Sequence, residues 1–585
     1  MLLVFGGTTE GRKAIETLED SGNTFYYSTK TGEQDVPLHH GVAVSGAMDA
    51  TAMITFCQEH NIKLLVDASH PFAEVLHQTV AEVAEKLHLP AIRFERIFPP
   101  REEDITWIDD YSDLYSKVHG GTLLATTGVQ SISKLKPLET QGGRVIYRIL
   151  NRESSIKLAH QQGATDEQLC FYPNTADADA ILMKESGLSG GFLEKVEEAR
   201  KLGMQMYAIK RPETPTIFHC VNGEHGLRRM VEKLLPDFYP LHSGLTTGTC
   251  ATAAAVAATI RLLTSETPEK VPVILPNGET IHVPVGYAND YAYCIKEAGD
   301  DPDVTDGIEI RAQVEPSDHF EICAGVGVGK FTLPGFDYPP GEPAINKSPR
   351  QMIYQNVTAV ANSSLFTFHF SLKVTISVPQ GEAIAQRTFN PRLGIEGGIS
   401  IIGVSGIVKP FSEEAFIESI RKCMEVAKAS GTERVVLHSG MKSEGFLQTH
   451  YPTLPQQAFV EYGNAIGATL QIANELDIPH ITLGIMLGKA VKLAEGHLDT
   501  HSKKQTMNKT FIVQMLEESG CTPAVIDQVA DITLARELWG IIPPEQVEAF
   551  CQTVIRHCTL HCKPLIPHSE LTILLIDDVG TIHSL

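Results

Sequence analysis

The chain has 585 residues, too many for one ordinary core, so roughly three or four folding units are expected. Hydrophobic residues make up 43% and charged residues 20% of it, which excludes a disordered chain. The net charge of −23 excludes a general nucleic-acid partner or an anionic membrane as partner.

The opening residues, MLLVFGGTTEGR, contain a short apolar run without a basic leader. Gly6 and Gly7 interrupt that run well before the ~18 residues that a membrane span needs. We therefore predict a first strand in a cytoplasmic protein. The 11 cysteines follow no regular spacing, which indicates reduced thiols in a reducing compartment rather than disulfides.

Residues 1 to about 235 alternate strand-like apolar runs with helical segments, the pattern of parallel α/β sheets. The strand-like runs are LLVFGG, TFYYST, LLVDASHP and AIRFER, followed by TLLATTG, RVIYRIL, AILMKESG and MYAIKRP. The run from Trp107 to Gly121 separates two sets of four strands. We predict two Rossmann-like lobes, about 1–110 and 111–238, with a cleft between them.

Beyond this region the pattern changes. Pro236 and Pro240 interrupt the periodicity, which predicts a domain boundary there and a second domain over 242–585. Short strands with few helices between residues 271 and 332 predict an α+β lobe with an antiparallel sheet. Helices return after Pro410 with the strands RVVLHSG and HITLGIML, which predicts an α/β lobe, and LTILLIDDVGTIHSL predicts a final strand, turn and strand.

A glycine turn follows the first strand. Gly6, Gly7 and Gly11 lie between a strand and a helix, where backbone N–H groups can approach a phosphate at the helix N-terminus. A plain tight turn is the alternative, because the spacing is not G-x-G-x-x-G. Ser28 and Lys30 end the second strand where an NAD site would have an acid, which favours NADPH.

The stretch DASHPFA, from Asp67 to Ala73, ends the third strand at the face where α/β folds bind ligands. The alternative is structural. In it, Asp67 and Ser69 cap the next helix and Pro71 lies in its first turn.

Five motifs of the first half resemble, in order, the precorrin-6A reductase family. They are GGTTEGR, DASHPFA, TTG at Thr126, KESG at Lys184 and KRP at Lys210. The resemblance covers residues 1 to 235, and Glu185 replaces the more usual Asp of the fourth motif. It implies hydride transfer from NADPH to a cobalt-bearing tetrapyrrole, with a proton delivered to the adjacent carbon.

The resemblance also implies site residues. His70 and Lys184 are the catalytic candidates, as proton donors or carboxylate ligands, and a buried structural His70 stays an open alternative. Arginine binds carboxylates through two parallel hydrogen bonds, which suits the acetate and propionate groups of such a substrate. The substrate-binding candidates are Ser69, Arg96, Arg148 and Arg211, and the cofactor-binding candidates are Gly6, Gly7, Thr8, Gly11, Arg12, Ser28, Lys30 and Thr127.

The second half opens on SGLTTGTCATAAAVAA. Thr246, Thr247 and Thr249 can cap a helix and present hydroxyls to an anion. A capped, close-packed core helix is the alternative, because the alanine run lets another backbone come very close. Cys250 as a nucleophile is disfavoured, since the sequence fixes no histidine beside it.

The stretch AGVGVGKFT invites comparison with a P-loop, which requires G-x-x-x-x-G-K-[ST]. Ala324 occupies the first glycine position and Phe331 the Ser/Thr position, so the ATPase hypothesis fails. Gly325, Gly327 and Gly329 do not form a dinucleotide fingerprint either. They predict a flexible loop of exposed N–H groups.

Three further segments, PPGEPAINKSPRQMI, RTFNPRLGIEGGISIIGVSGIVKPFS and LGKAVKLAEGHLDTHS, are rich in Gly, Asn, Arg and small hydroxyls. With TTGTCATAAA, they resemble the cobalt-precorrin-5B C(1)-methyltransferase family from Ser243 to past Ser502. Glu396, Val404 and Phe411 are small departures from its pattern. The resemblance implies S-adenosylmethionine as methyl donor and ring carbon 1 of a corrinoid as nucleophile, chemistry that needs alignment and exclusion of water.

For this half, the resemblance implies that Thr246, Thr247 and Thr249, the cofactor-binding candidates, bind a carboxylate, and the sequence leaves open whether it belongs to the methyl donor or to the macrocycle. The candidates for the macrocycle or donor site are Arg350, Arg387, Asn390, Arg392, Lys489 and His501. The sequence does not separate these two roles.

The tail CQTVIRHCTLHC spaces two His and two Cys at i, i+4, which could hold zinc on a helix. Buried side chains on a terminal helix are favoured instead. We expect no protein metal, because the substrate arrives with its own cobalt.

The two resemblances imply consecutive reactions of anaerobic cobalamin synthesis. We therefore predict a fused bifunctional enzyme that methylates cobalt-precorrin-5B to cobalt-precorrin-6A and reduces that product to cobalt-precorrin-6B with NAD(P)H. Its partners are small corrinoid substrates, and a homo-oligomer is left open. A non-catalytic nucleotide or tetrapyrrole sensor, and a fusion with one active half, are the alternatives.

Overall fold

A computed structural model of the chain describes residues 1–30, 32, 36–118, 120–362, 371–502 and 504–585. The chain divides into two compact units. The first comprises Met1–Ser243 with Pro272–His282, and the second comprises Gly244–Val271 with Val283–Leu585. The division after Ser243 lies close to the predicted boundary, whereas the assignment of Pro272–His282 to the first unit was not predicted.

The first unit alternates strands and helices. Its strands are β1 Leu2–Phe5, β2 Phe25–Thr29, β3 Gly41–Ser45, β4 Leu64–Asp67, β5 Ala91–Glu95, β6 Ile105–Ile108, β7 Thr122–Ala125, β8 Arg144–Ile149, β9 Leu169–Phe171, β10 Ala180–Lys184, β11 Gln205–Ile209 and β12 Phe218–Asn222. Its helices are α1 Thr9–Glu19, α2 Ala50–Glu59, α3 Glu74–Leu87, α4 Tyr111–Tyr115, α5 Ile132–Thr140, α6 Glu153–Gln161, α7 Phe192–Leu202 and α8 Gly223–Leu234.

These strands form two parallel sheets, in the orders β12-β5-β4-β1-β2-β3 and β6-β11-β10-β7-β8-β9. Every residue of β1 and β4 is buried, as expected of strands that are covered by helices on both faces. The predicted α/β content with parallel sheets is therefore confirmed. Val80, Val83 and Ala84 are buried along the predicted apolar face of α3.

The division between the two sheets differs from the predicted lobes 1–110 and 111–238. Strand β6, at 105–108, pairs with β11 in the second sheet, and β12, at 218–222, pairs with β5 at the edge of the first. Each sheet thus has six strands, two more than the four of the sequence pattern: β3 and β12 are added to the first, and β6 and β9 to the second. The second sheet is inserted into the chain of the first.

The second unit has shorter strands at its start and longer helices at its end. Its strands are β13 Gly244–Leu245, β14 Lys270–Ile274, β15 Thr280–Pro284, β16 Gly286–Tyr287, β17 Ala292–Ile295, β18 Glu309–Ser317, β19 Glu321–Ala324, β20 Lys330–Phe331, β21 Ser371–Ser377, β22 Ile395–Glu396, β23 Ile407–Val408, β24 Arg434–His438, β25 Phe459–Glu461, β26 His480–Met486, β27 Glu570–Ile576 and β28 Ile582–His583; the hairpin of β14 and β15 includes Pro272–His282 of the first unit. Its helices are α9 Thr247–Thr264, α10 Lys347–Ala361, α11 Gly381–Ala385, α12 Glu413–Ala429, α13 Met441–His450, α14 Ile466–Glu475, α15 Leu487–Ala494, α16 Lys509–Glu518, α17 Pro523–Gln528, α18 Leu538–Ile541 and α19 Pro544–Cys562.

Helix α9 is the centre of the first part of this unit. It packs against α10 and against β17 and β18 of the sheet β16-β17-β18-β21-β19. Residues 247–259 of the helix are all buried. The alanine run is therefore explained by packing on all sides, since small side chains let neighbouring backbones approach closely. The sheet is antiparallel except for the parallel pair β19–β21.

The second part is a sheet of order β25-β24-β26-β27-β28, parallel except for the final pair. A large apolar core formed by the helices α12, α14–α16 and α19 covers it. The predicted strand, turn and strand at the C-terminus is confirmed. Among the described residues, no helix is both long and apolar enough to cross a membrane.

Candidate functional sites

The turn after β1 is packed around Tyr27. The Tyr27 hydroxyl accepts the backbone N–H of Gly7 at 2.9 Å, and Gly7 has a φ of +92°. A Cβ on Gly6 would lie 2.1 Å from that hydroxyl, and a Cβ on Gly11 would lie 2.9 Å from Gly6 Cα. Gly6 and Gly11 are thus required by close packing, and Gly7 by its positive φ. The N–H of Gly6 donates to the Ser28 carbonyl oxygen, so neither turn N–H is open to a phosphate.

Thr8 joins this turn to the end of β4. It is the N-cap of α1, where its hydroxyl accepts the N–H of Gly11 at 3.1 Å and donates to the Ala68 carbonyl at 2.8 Å. The cofactor candidates Arg12 and Lys30 are exposed beside it, at the start of α1 and just after β2. Strand β2 ends at Thr29, so the sequence-based position for the end of this strand is confirmed.

The turn after β4 rests on a buried ion cluster. Asp67 accepts a hydrogen bond from Arg93 at 2.8 Å and lies 2.6 Å from His77 Nδ1. Although burial opposes it, His77 and Arg93 hold the pKa of Asp67 below its ordinary value. The Ser69 hydroxyl also donates to Asp67, at 2.6 Å. The idea that Asp67 and Ser69 cap α3 is wrong, because that helix has Ala73 as its N-cap and no side-chain cap.

The two catalytic candidates of the first unit lie beside one aromatic ring. The Phe72 ring is 6.0 Å from the His70 imidazole and 4.9 Å from the Lys184 amino group. Burial, with the charges of Arg96 and Lys184, lowers the pKa of His70 to about 4. Its Nδ1 accepts the N–H of Phe72 at 3.1 Å. Burial also lowers the pKa of Lys184, so this site holds a neutral imidazole next to an amine that loses its proton more readily than usual.

Arg96 connects the two sheets. It donates to Glu10 in the first turn of α1 and to the carbonyl of Ser186, each at 2.8 Å. The hydroxyl of Ser189 also donates to Glu10. A Cβ on Gly190 would lie 2.6 Å from the Arg96 guanidinium, so the SGLSGG loop closes around this side chain. The predicted substrate ligand Arg96 is therefore already paired within the protein.

The other candidates of the first unit are distributed around this network. Arg211 pairs with Glu185 at 3.0 Å and lies over the Phe98 ring at 3.8 Å. Arg148 pairs with Glu198 at 2.7 Å, and the hydroxyls of Thr127 and Ser131 are 2.6 Å apart. Arg211 is partly exposed, whereas Arg148 and Thr127 are buried.

The sequence had not singled out Glu10 or Arg93. Arg93 is a charged residue inside the apolar strand AIRFE, which is the signal that could have found it. Its partners are identified only by the fold, because they come from other parts of the chain.

In the second unit, the three threonines at the start of α9 bind loop 400–406. The Thr246 hydroxyl accepts the N–H of Thr249, and that of Thr249 donates to the Gly406 carbonyl at 2.6 Å. The Thr247 hydroxyl accepts the N–H of Ile402 at 2.8 Å. All three side chains are buried. The expected contact with a ligand carboxylate stays a prediction, and the structure shows each hydroxyl engaged inside the protein.

The glycines of AGVGVGKFT form no open loop. Gly327 has a φ of +72°, and a Cβ on it would lie 1.9 Å from the Val378 carbonyl oxygen. The N–H groups of Gly325 and Gly329 donate to carbonyls at 2.7 and 2.9 Å. The prediction of a flexible loop with exposed N–H groups is therefore wrong, because the glycines allow backbones to cross in contact.

The candidates of TFNPRLGIEGG differ in exposure. Asn390 is buried, and its side-chain amide donates to the Gly398 carbonyl at 3.1 Å. Arg392 pairs with Glu444 at 2.8 Å, and Arg387 is exposed. Elsewhere in the unit, Arg350 pairs with Glu342 at 3.2 Å.

Several titratable side chains meet where β24, β25 and β26 end. His438 is buried, and burial lowers its pKa to about 4. Burial raises the pKa of Glu461. It lowers that of Lys489 to about 8, and the Lys489 amino group donates to Asn464 Oδ1 at 2.9 Å. His501 is half-buried, and its N–H donates to Asp499 at 3.0 Å.

The cysteines of the tail lie inside α19. Cys558 and Cys562 are buried, and burial raises the pKa of Cys562 to about 12, which disfavours the thiolate that zinc requires. His557 pairs with Glu518 instead, at 2.7 Å. Within the described ranges, no group of three or more His, Cys, Asp or Glu side chains could hold a metal ion.

Comparison with known proteins identifies three matching family models. The model described as precorrin-6x reductase CbiJ/CobK matches residues 1–225. The CbiD model matches residues 237–410, and the model of the CbiD C-terminal domain matches residues 499–583.

Two relatives are similar to the second half. A cobalt-precorrin-5B C(1)-methyltransferase of Prosthecochloris aestuarii is 40% identical over 347 residues, 57% of this chain and 94% of its own length. One of Geobacillus sp. is 38% identical over 329 residues, 55% of this chain and 89% of its own length.

Among solved structures, the cobalamin biosynthesis protein cbiD from Archaeoglobus fulgidus is 31% identical, with a TM-score of 0.26, and covers 42% of this chain and 76% of its own. CobK precorrin-6A reductase is 18% identical, with a TM-score of 0.33, and covers 40% of this chain and 97% of its own. Both scores are too low to establish a shared overall fold. The family follows from the sequence relatives: the chain belongs to the cobalt-precorrin-5B C(1)-methyltransferase family and carries a precorrin-6x reductase domain ahead of that region.

Proposed function

We propose that the chain catalyses two consecutive steps of anaerobic cobalamin synthesis. The second unit methylates carbon 1 of cobalt-precorrin-5B with S-adenosylmethionine, and the first reduces the resulting cobalt-precorrin-6A to cobalt-precorrin-6B with NADPH. The observation that carries this proposal is the presence of both families on one chain. Covalent linkage raises the local concentration of the intermediate near the second enzyme.

In the reductase unit, Lys184 delivers the proton. The Phe72 ring holds its amino group at 4.9 Å, and the lowered pKa makes that group a stronger acid than a surface lysine. His70 is neutral at neutral pH and binds the substrate as a polar ligand, because burial, and then the nearby cations Arg96 and Lys184, lower its pKa. Arg211, partly exposed, binds a substrate carboxylate. Arg148 and Ser69 are buried and paired with Glu198 and Asp67, so we assign them a structural role in this site.

NADPH, which supplies the hydride, fits the edge formed by β1 and β2. Strand β2 ends in Ser28 and Thr29 and is followed by the exposed Lys30, a cation at the position where an NAD site has an acid. Arg12, exposed in the first turn of α1, provides a second cation. We assign the phosphates to the first turn of α1, because the N–H groups of Gly6 and Gly7 are already used.

In the methyltransferase unit, S-adenosylmethionine supplies an activated methyl group, and the protein has to align it and exclude water. Exposed Arg387 and half-buried Arg350 are the proposed ligands for macrocycle carboxylates. Arg392, Lys489 and His501 lie near the strand ends, and Asn390 holds the loop that contains Arg392.

The proposed enzyme works in the cytoplasm on small corrinoid substrates. No described cysteine is in a disulfide, which suits a reducing compartment.

The test measures turnover while one cofactor at a time is left out of the reaction. Purified full-length chain is incubated with cobalt-precorrin-5B, S-adenosylmethionine and NADPH, and product masses are followed with each cofactor left out in turn. We expect the gain of one methyl group without NADPH, and a further gain of two hydrogens when NADPH is present. If neither change occurs with a substrate that a known methyltransferase converts, the proposed function is wrong.

A further inference from the structure

The turn that follows β24 is open on one side. Gly440 has a φ of +152°, and a Cβ on it would meet only Glu461 Oε1, at 3.8 Å, among the described residues. Ser443 fixes the turn, since its hydroxyl donates to the Gly440 carbonyl at 2.9 Å and accepts the N–H of Ser439 at 3.1 Å. Helix α13 begins at Met441 without a side-chain cap. A ligand can therefore approach this backbone closely.

An acid stands at the end of the adjacent strand. Glu461 is the last residue of β25 and lies opposite His438, the last residue of β24, in the parallel register. In α/β units that bind nucleosides, an acid about 20 residues after the turn glycine accepts hydrogen bonds from ribose hydroxyls. Glu461 follows Gly440 at nearly this interval and is only half-buried. Strand β24, helix α13 and strand β25 form one β-α-β unit.

His438 supplies an independent sign of a missing partner. Its side chain is fully buried and, apart from a weak contact with the Gly440 backbone, neither ring nitrogen has a hydrogen-bond partner among the described residues. Its Nε2 lies 4.0 Å from Glu444, which Arg392 holds at 2.8 Å. Buried polar groups are nearly always hydrogen-bonded, so this imidazole indicates a polar group that the chain itself does not provide.

The position in the sheet is the one where α/β folds bind ligands. Strand β25 lies on one side of β24 and β26 on the other, which places a crevice at the carboxyl ends of these strands. Gly488, in the first turn after β26, also has open space where a Cβ would be. The rings of Phe389, Phe416 and Phe459 lie beside Glu461 and provide apolar surface there, around a cavity of only about 10 Å³ that does not itself hold a base.

We propose that the crevice at the ends of β24, β25 and β26 binds the adenosine part of S-adenosylmethionine, with the Glu461 carboxylate accepting hydrogen bonds from the ribose hydroxyls over the turn at Gly440. This inference rests on the methyltransferase function proposed above. It separates the donor site from the macrocycle site, a distinction that the sequence left open.

The test measures binding without turnover. Isothermal titration calorimetry compares S-adenosylhomocysteine, the demethylated donor, on the full-length wild type and on Glu461→Gln. Loss of hydrogen bonds to a charged acceptor should weaken binding about tenfold to a hundredfold. The matched control is Glu475→Gln, an exposed glutamate paired with Arg421 at the end of α14, which should leave the dissociation constant unchanged.

A second measurement needs no variant. The wild type should bind the 2′,3′-dideoxy analogue of S-adenosylhomocysteine about as weakly as Glu461→Gln binds the parent compound, and combining the two changes should add little. If the wild type binds the parent and dideoxy compounds equally well, or if Glu461→Gln binds the parent normally, the proposed location is overturned while the function stands. If the wild type does not bind S-adenosylhomocysteine at all, the proposed methyl donor fails as well.

Discussion

Asp67 and Arg93 lie directly opposite each other on neighbouring strands and form an ion pair, with Nη1 and Oδ1 2.8 Å apart and both side chains buried. Arg93 also donates to the Ser69 carbonyl at 3.0 Å. One guanidinium thus holds both the end of β4 and the turn that carries His70. The position of His70, a candidate catalytic residue, therefore depends on the buried guanidinium of Arg93.

Removing that charge should destabilise the first unit. Arg93→Met leaves the buried Asp67 carboxylate with His77 and Ser69 but without its arginine, and breaking a buried pair in this way costs about 3–5 kcal/mol. Thermal unfolding of the full chain should show the first unit melting earlier, whereas Arg144→Met, at an exposed position that begins β8, should change little. Equal melting of both variants would show that the pair contributes no net stability.

The same pair predicts an acid-sensitive contribution. Because the pKa of Asp67 is lowered in the folded state, its contribution is present above the unfolded value of about 4 and is lost as the pH falls through the folded value. Unfolding free energies of the wild type and of Asp67→Asn should therefore converge as the pH is lowered below about 4. A difference that does not depend on pH would contradict this assignment.

Lys184→Met should separate the two activities. Loss of the proton donor should slow reduction of cobalt-precorrin-6A by about 10²–10⁴-fold, the usual contribution of general acid catalysis. Methylation of cobalt-precorrin-5B by the same preparation should be unaffected. The control is Lys201→Met, which removes an exposed lysine from the last turn of α7. NADPH oxidation at the wild-type rate in Lys184→Met would assign the proton to another group.

Gly327→Ala should unfold or strongly destabilise the second unit. The new Cβ would meet the Val378 carbonyl oxygen at 1.9 Å. The alanine would also have to adopt the positive φ of this position, so the combined cost is about 2–5 kcal/mol. Gly431→Ala is the matched control, because it has a similar φ of +81° but no atom within 4 Å of the new Cβ. Its cost should be limited to about 1–2 kcal/mol of backbone strain. Similar melting temperatures for the two variants would argue against the close backbone crossing.

His438 should make the second unit less stable in mild acid. Its pKa is lowered to about 4 in the folded state, against about 6.5 when unfolded, so the unfolded state binds the proton first as the pH falls between these values. The unfolding free energy should fall over this range by up to about 3 kcal/mol. His438→Leu, measured without ligand, should show a shallower decline. An unchanged slope would mean that folding does not lower the pKa of His438.

The sequence predicted local structure more successfully than long-range pairing. Apolar runs identified most strands of the first unit, and the threonines at the start of α9 correctly indicated a capped helix, with Thr246 as the N-cap. The membership of β6 and β12 in their sheets could not be predicted, because it depends on which strand edges remain available after the chain has folded.

The candidate sites show the same limit. Arg96 was identified as a carboxylate ligand, but its partner Glu10 comes from the other end of the lobe, and no local pattern links them. The glycines of AGVGVGKFT were noticed for their flexibility, whereas they are needed because other backbones pass within contact distance. His438 and Glu461 were not noticed, since neither belongs to a local motif and only the parallel register brings them together.

The return of β12 to the edge of the first sheet gives the two sheets of the first unit two covalent connections instead of one. One connection follows β5 and the other precedes β12. Any rotation of one sheet against the other has to deform both connections at once, so opening about the line that joins them is easier than twisting. The topology thereby restricts the relative motion of the two sheets towards rotation about one axis, the line that joins the two connections.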